Sequence, residues 1–175
     1  MPQITEWLGH EPAELRRYLQ EGDDEDLGWR RGVIVVSLIG IAAMAATTLL
    51  QTGVVKRLPD PPIGNFDTKR VNSSDEAYSY GGPDSPIAIT THGVNMVLAS
   101  MGGADRNRHH PWLPILATLF AGGQAITAAK YLFYTMPKVD KAWCPYCIVD
   151  ALMHFATVAF TLRGSTAALR RLASG

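Results

Sequence analysis

Cysteine is nearly absent from this chain, with two residues among 175. That excludes a disulfide-rich secreted scaffold and a zinc site built on four thiolates. An excess of charge is absent too: 16 Lys and Arg balance 16 Asp and Glu. Without a broad basic surface, nucleic acid is excluded as the main partner. No internal repeat and no nucleotide-binding glycine fingerprint is visible. Acidic residues are themselves scarce beyond the leader, because eight of the sixteen lie between Glu6 and Asp26. The neutrality is that of two unlike regions, and the second is apolar enough for a membrane.

The longest apolar run, residues 32–53, has no ionisable side chain between Arg31 and Lys56. As a helix it extends about 33 Å, enough for a hydrocarbon core of about 30 Å. It begins too late, and behind too acidic a leader, to be a secretory signal peptide. Residues 86–104, 112–134 and 142–162 are also near the spanning length. Each carries polar intruders: His92 and Asn95 in the first, Gln124 and Lys130 in the next, Asp150 and His154 in the last. Facing lipid, such groups cost several kcal/mol, so they are expected to face other helices. The expected fold is all-α, an integral membrane four-helix bundle. Gly102, Gly103, Gly122 and Gly123 either let helices approach closely or loosen the span ends.

Four spans put both termini on one side. That side collects nine basic residues (Arg16, Arg17, Arg30, Arg31, Arg106, Arg108, Arg163, Arg170, Arg171) against seven opposite (Lys56, Arg57, Lys69, Arg70, Lys130, Lys138, Lys141). The positive-inside rule then makes the termini cytoplasmic. The loop 54–85 and the link 137–141 face outward. His109 and His110 fall in a cytoplasmic loop. The chain divides into a leader over 1–31, a membrane bundle over 32–163 and a basic tail over 164–175. In the leader, Leu15, Tyr18 and Leu19 recur at helical spacing after Pro12, which predicts a short amphipathic helix before the acidic linker GDDEDLG. The outer loop is turn-rich, with LPDPP, SSDEAYSYGG and PDSP.

Both cysteines, Cys144 and Cys147, stand in WCPYC at the start of the last segment. Two intervening residues let the sulfurs meet across the first helical turn, where a disulfide opens with little backbone movement. Pro145 suits the first helical position. Free amides and the positive dipole end there favour a thiolate, the reactive form. So short a disulfide loop adds little stability, which makes redox exchange the reading ahead of a structural staple; no metal site is expected. Outward placement is the side on which a disulfide persists. Asp150 and His154 lie at offsets of three and seven from Cys147, within about 60° of it, with His154 about 10 Å deeper. The row is a path for protons or a seat for a polar quinone head; otherwise Asp150 and His154 bond each other or neighbouring helices. Thr91 and Asn95 share a face of the second segment beside His92, making it the expected partner helix.

The four expected spans, the long outer loop and the stretch KAWCPYCIVDALMHF resemble the vitamin K epoxide reductase family of membrane thiol oxidoreductases, over residues 30–163. CPYC is also the spelling of glutaredoxins, but no soluble βαβ pattern surrounds it. The resemblance implies that Cys144 and Cys147 are the active couple beside a quinone, menaquinone or ubiquinone, in a bacterial inner membrane. Cys147 passes electrons to the quinone, and Cys144 exchanges with a thioredoxin-like thiol carrier. The row of polar side chains adds His154, Asp150, Asn95 and His92 as expected quinone contacts. Two departures stand out. Family members usually carry a second cysteine pair in the outer loop, and residues 54–85 hold none. Ala151 stands where the animal enzymes have a tyrosine four positions after the second cysteine. The alternatives are a non-catalytic subunit of a larger membrane complex, and a transporter, for which no inverted repeat is evident.

Overall fold

Residues 11–174 are described by a computed structural model; the first ten residues of the expected leader and Gly175 lie outside them. Among the described residues there is no β-strand, only an isolated bridge between Phe66 and Trp143. The helices are α1 (Pro12–Glu21), α2 (Glu25–Gln51), α3 (Thr68–Asn72), α4 (Ser85–Ser100), α5 (Arg106–His109), α6 (Trp112–Lys130) and α7 (Pro145–Ser174). A π-helical stretch, Tyr131–Asp140, continues α6.

Among the described residues three helices are long and apolar enough to cross a membrane: Glu25–Gln51, Trp112–Asp140 and Pro145–Arg170. The first begins seven residues before the apolar run, because Asp24 caps it, its side chain accepting from the Leu27 amide at 3.0 Å. The second runs past the expected end at 134: the backbone widens to π geometry and carries Pro137 inside it, so the link to α7 shortens to residues 141–144. The third also overruns, and the stretch expected as a basic tail is helical to Ser174. With 16 residues, α4 is shorter than the roughly 20 needed to span at right angles to the bilayer.

The sequence of α2 explains the packing. Its buried positions are Leu27, Arg30, Val33, Ser37, Gly40, Met44, Thr47 and Leu50, a stripe at three- and four-residue steps. Much of that stripe is small or polar, whereas Val35, Leu38, Ile39 and Leu49 are exposed. Large apolar side chains outside and small ones inside is the pattern of a helix whose outer solvent is lipid. Along this stripe α2 packs against α4 and α7, and α7 packs in turn against α6. The glycines that permit close approach match those expected only in part: a Cβ on Gly102 would meet Arg106 Cβ at 2.8 Å. A Cβ on Gly40 would overlap the His92 ring, and one on Gly32 would meet Phe160 at 3.0 Å, whereas Gly122 and Gly123 face open space. Gly102, at φ +82°, ends α4 in a backbone conformation that side chains resist.

The two ends are held by different chemistry. At one end Thr47 Oγ1 and Ser85 Oγ lie 2.8 Å apart, and Gln51 Nε2 donates to Asp84 at 2.8 Å. At the other, buried Arg30 donates to the carbonyls of Ala99 (2.7 Å), Met101 (3.1 Å) and Gly102 (2.8 Å), closing the C-terminus of α4. Arg106 reaches Asp26 at 3.2 Å beside it. Burial and the neighbouring Arg30 pull the Arg106 guanidinium down to about 10, with Asp26 opposing, so it stays charged at neutral pH. Leu15, Tyr18 and Leu19 are the half-buried residues of α1, as their spacing predicts.

Candidate redox site at the start of the last helix

Cys144 and Cys147 are joined by a disulfide, with Cα atoms 5.2 Å apart. Cys144 immediately precedes α7, and its sulfur accepts the Cys147 amide at 3.1 Å while its carbonyl takes the first helical bond, from Ile148 at 3.0 Å. One sulfur of the pair is thus the helix cap, at the end where unpaired amides favour negative charge.

The loop over residues 54–85 is folded onto this pair. Asp67 caps α3 by accepting the Arg70 amide at 2.9 Å. Asp60 accepts from both the amide and the hydroxyl of Thr68. The loop backbone runs beside Trp143, with Trp143 N–H donating to Asn65 at 2.9 Å and Asp67 N–H to Trp143 at 2.9 Å. Asn65 also donates to the Lys141 carbonyl. α3 thereby brings Asn72 onto the sulfurs: its Nδ2 lies 3.3 Å from Cys144 Sγ and 3.6 Å from Cys147 Sγ, and its other proton goes to Thr68 O at 2.9 Å. Cys144 is fully buried beneath this cover.

Sequence reasoning missed Asn72. It is 72 residues from Cys144 and sits in a turn-rich stretch where asparagine is unremarkable, so no local signal could have found it. Its amide can donate more strongly to a thiolate, which only the reduced pair offers. Asn72→Leu is therefore expected to make the dithiol couple about 30–60 mV more negative, the equivalent of one charge-assisted hydrogen bond. Equilibration with dithiothreitol mixtures measures it, and an unshifted midpoint removes Asn72 from the redox site.

Beneath the disulfide lies a cavity of about 300 Å³ whose wall includes Cys147, Asp150, Ala151 and His154 of α7. Gln124, Lys130 and Tyr131 close another side, and Asn72, Glu76, Tyr80 and Asp84 the loop end. Burial raises the Asp84 carboxyl above its usual range, with the Gln51 hydrogen bond opposing. The volume is at the lower end of the roughly 300–1,000 Å³ of small-molecule sites.

Of the six residues expected at the site, the structure brings Cys147, Asp150 and His154 to this cavity. His92 does not line it, but stands behind Asp150, with Nε2 2.9 Å from Asp150 Oδ1. His154 Nε2 approaches the other carboxylate oxygen at 3.5 Å. The two imidazoles stack at 4.3 Å between centroids, 9° from parallel. Asn95 is absent from the cavity wall; its amide pairs with Gln124 at 2.9 Å, which takes its place there. Ligand atoms of His92, Asp150 and His154 lie within 4.8 Å of one another, as a metal site requires. Nearly parallel rings, however, cannot both aim in-plane lone pairs at one ion without turning.

These features define a class: a helical membrane protein with a Cys-x-x-Cys disulfide opening a spanning-length helix, above a small-molecule cavity. The chain belongs to the vitamin K epoxide reductase family, whose sequence profile matches residues 32–162. Neither the curated proteins nor the solved structures yield a match.

Proposed function

We propose that this protein is a quinone-coupled thiol/disulfide oxidoreductase of a bacterial inner membrane. The observation that carries the reading is the position of Cys147, which shares a cavity of about 300 Å³ with the polar groups of its own helix. In this reading four segments cross the bilayer. The short α4 is the fourth, supported by its exposed apolar side chains Ile87, Val94 and Val97. The termini are cytoplasmic, and the membrane unit over 32–163 lies between the leader and the tail. The scaffold alternative accounts for neither the cavity nor the sulfur on its wall.

The cavity fits a quinone head. Apolar surface from Met44, Ile87 and Ala88 accompanies hydrogen-bonding groups on Gln124, Tyr131 and His154. A bound quinone supplies a two-electron acceptor. The chain's own residues do the rest: Cys147 presents the sulfur nearest the acceptor, the Asn72 amide supports charge on it, and Asp150 and His154 supply polar contacts. Disulfide exchange with a thioredoxin-like carrier at Cys144 requires the α3 segment to lift, since that sulfur is sealed. A small thiol meets Cys147 from the cavity without such movement.

The test is thiol trapping. Purified protein is reduced, mixed with an oxidised short-chain quinone, quenched with acid, then unfolded and labelled with a maleimide so that both thiols are reached. Loss of labelling at both cysteines only when quinone is present is the expected result, and quinone-independent labelling overturns the proposal. His154→Ala is expected to weaken quinone binding about tenfold, the equivalent of one hydrogen bond. Unchanged affinity by fluorescence titration takes His154 out of the site.

A further inference from the structure

Two-electron reduction of a quinone by a dithiol moves two protons as well as two electrons. As the S–S bond forms, two S–H bonds break and two O–H bonds form on the quinone. Which groups handle those protons is answered by a cluster that quinone binding alone does not require. His92 is completely buried and does not line the cavity, and its imidazole is directed onto Asp150, which does. A histidine so placed makes no contact with a molecule in the cavity. Gly40 leaves the space its ring occupies against α2. Asp150 faces His92 with one oxygen and His154 with the other, so one carboxylate bridges a deep imidazole and a cavity-lining one. The Nδ1 atoms of both rings lack a hydrogen-bond partner. His92 donating through Nε2 to Asp150 leaves only an acceptor unpaired on its ring, and a proton added there faces the carboxylate directly.

We propose that His92, Asp150 and His154 form a proton store and relay serving the cavity, an inference that rests on the quinone reading above. His154 and Asp150 are the groups at the cavity; His92 is a positioning and storage residue acting through Asp150. The cluster takes up one proton released as the thiols close and passes it to the nearer quinone oxygen. The farther oxygen takes its proton from water at the loop end, where Glu76 and Asp84 stand, and the second thiol proton leaves to that water. Lys130 and Tyr131 are the other titratable groups on the wall.

His92→Gln is the decisive variant, because a glutamine amide can still donate to Asp150 but cannot carry the proton. Single-turnover mixing of the reduced full-length protein with a short-chain quinone should show at least a tenfold slower reduction, with quinone affinity within twofold of wild type. A second readout needs no quinone. In the ligand-free protein, the infrared carboxylate band identified by its loss in Asp150→Asn should change its profile in His92→Gln. A wild-type rate in His92→Gln, a slowing explained by weaker binding, or an unchanged infrared profile overturns the relay. So does loss of wild-type activity on chelation with recovery on adding Zn²⁺, which makes the cluster a metal site. If the wild-type protein itself leaves the quinone oxidised, the broader functional reading fails instead.

Discussion

Replacing Cys147 with alanine is expected to lower quinone-linked thiol oxidation by about a thousandfold or more, the scale seen when an enzyme loses its reacting nucleophile. The sulfur at 147 is the member of the pair on the cavity wall, and Cys144 is sealed under Asn72 and α3. Without Cys147 no intramolecular disulfide can form, and the remaining thiol has no route to the cavity. The fold should survive, since the helix keeps Pro145 at its start and its cap at Cys144. Stopped-flow reduction of a short-chain quinone, with circular dichroism as the control for folding, gives the answer. Turnover within tenfold of wild type moves the electron-donating sulfur elsewhere.

Arg30→Ala is expected to cost about 3–5 kcal/mol of stability, although it lies at the opposite end from the disulfide. The guanidinium holds the carbonyls of Ala99, Met101 and Gly102 where α4 ends. Truncation leaves these acceptors without their donor in a buried place, and Arg106 is occupied with Asp26. Reversible denaturation in detergent micelles measures the loss. Arg30→Lys should restore part of it, as one ammonium can satisfy some of the carbonyls but lacks the planar fork. A loss below about 1 kcal/mol shows that water replaces the arginine there.

What the sequence made legible was whatever is written in short-range spacing. The run without ionisable residues between Arg31 and Lys56 became the core of α2, and the two-residue gap between the cysteines became a closed disulfide. Offsets of three and seven brought Asp150 and His154 to the same cavity as Cys147. Contacts across long separations stayed hidden. Asn72 on the sulfurs, Arg30 on the end of α4 and Gly40 against His92 each join segments far apart in the chain. The same blindness explains Asn95, whose match to the polar face was correct while its amide was committed to Gln124 on another helix. Helix ends were misjudged where the backbone kept bonding past the apolar run, through Asp140 and through Ser174.

The capping sulfur, the cavity-facing sulfur, the bridging carboxylate and one imidazole are all mounted on α7 or on the residue just before it. Their separations are therefore set by helical pitch alone. If bilayer thickness or lateral pressure tilts this rod, the four groups travel together in unchanged register. Only the opposing wall, supplied by other helices, shifts relative to them, so a tilt resizes the seat for the acceptor while leaving the reacting groups at their fixed spacing.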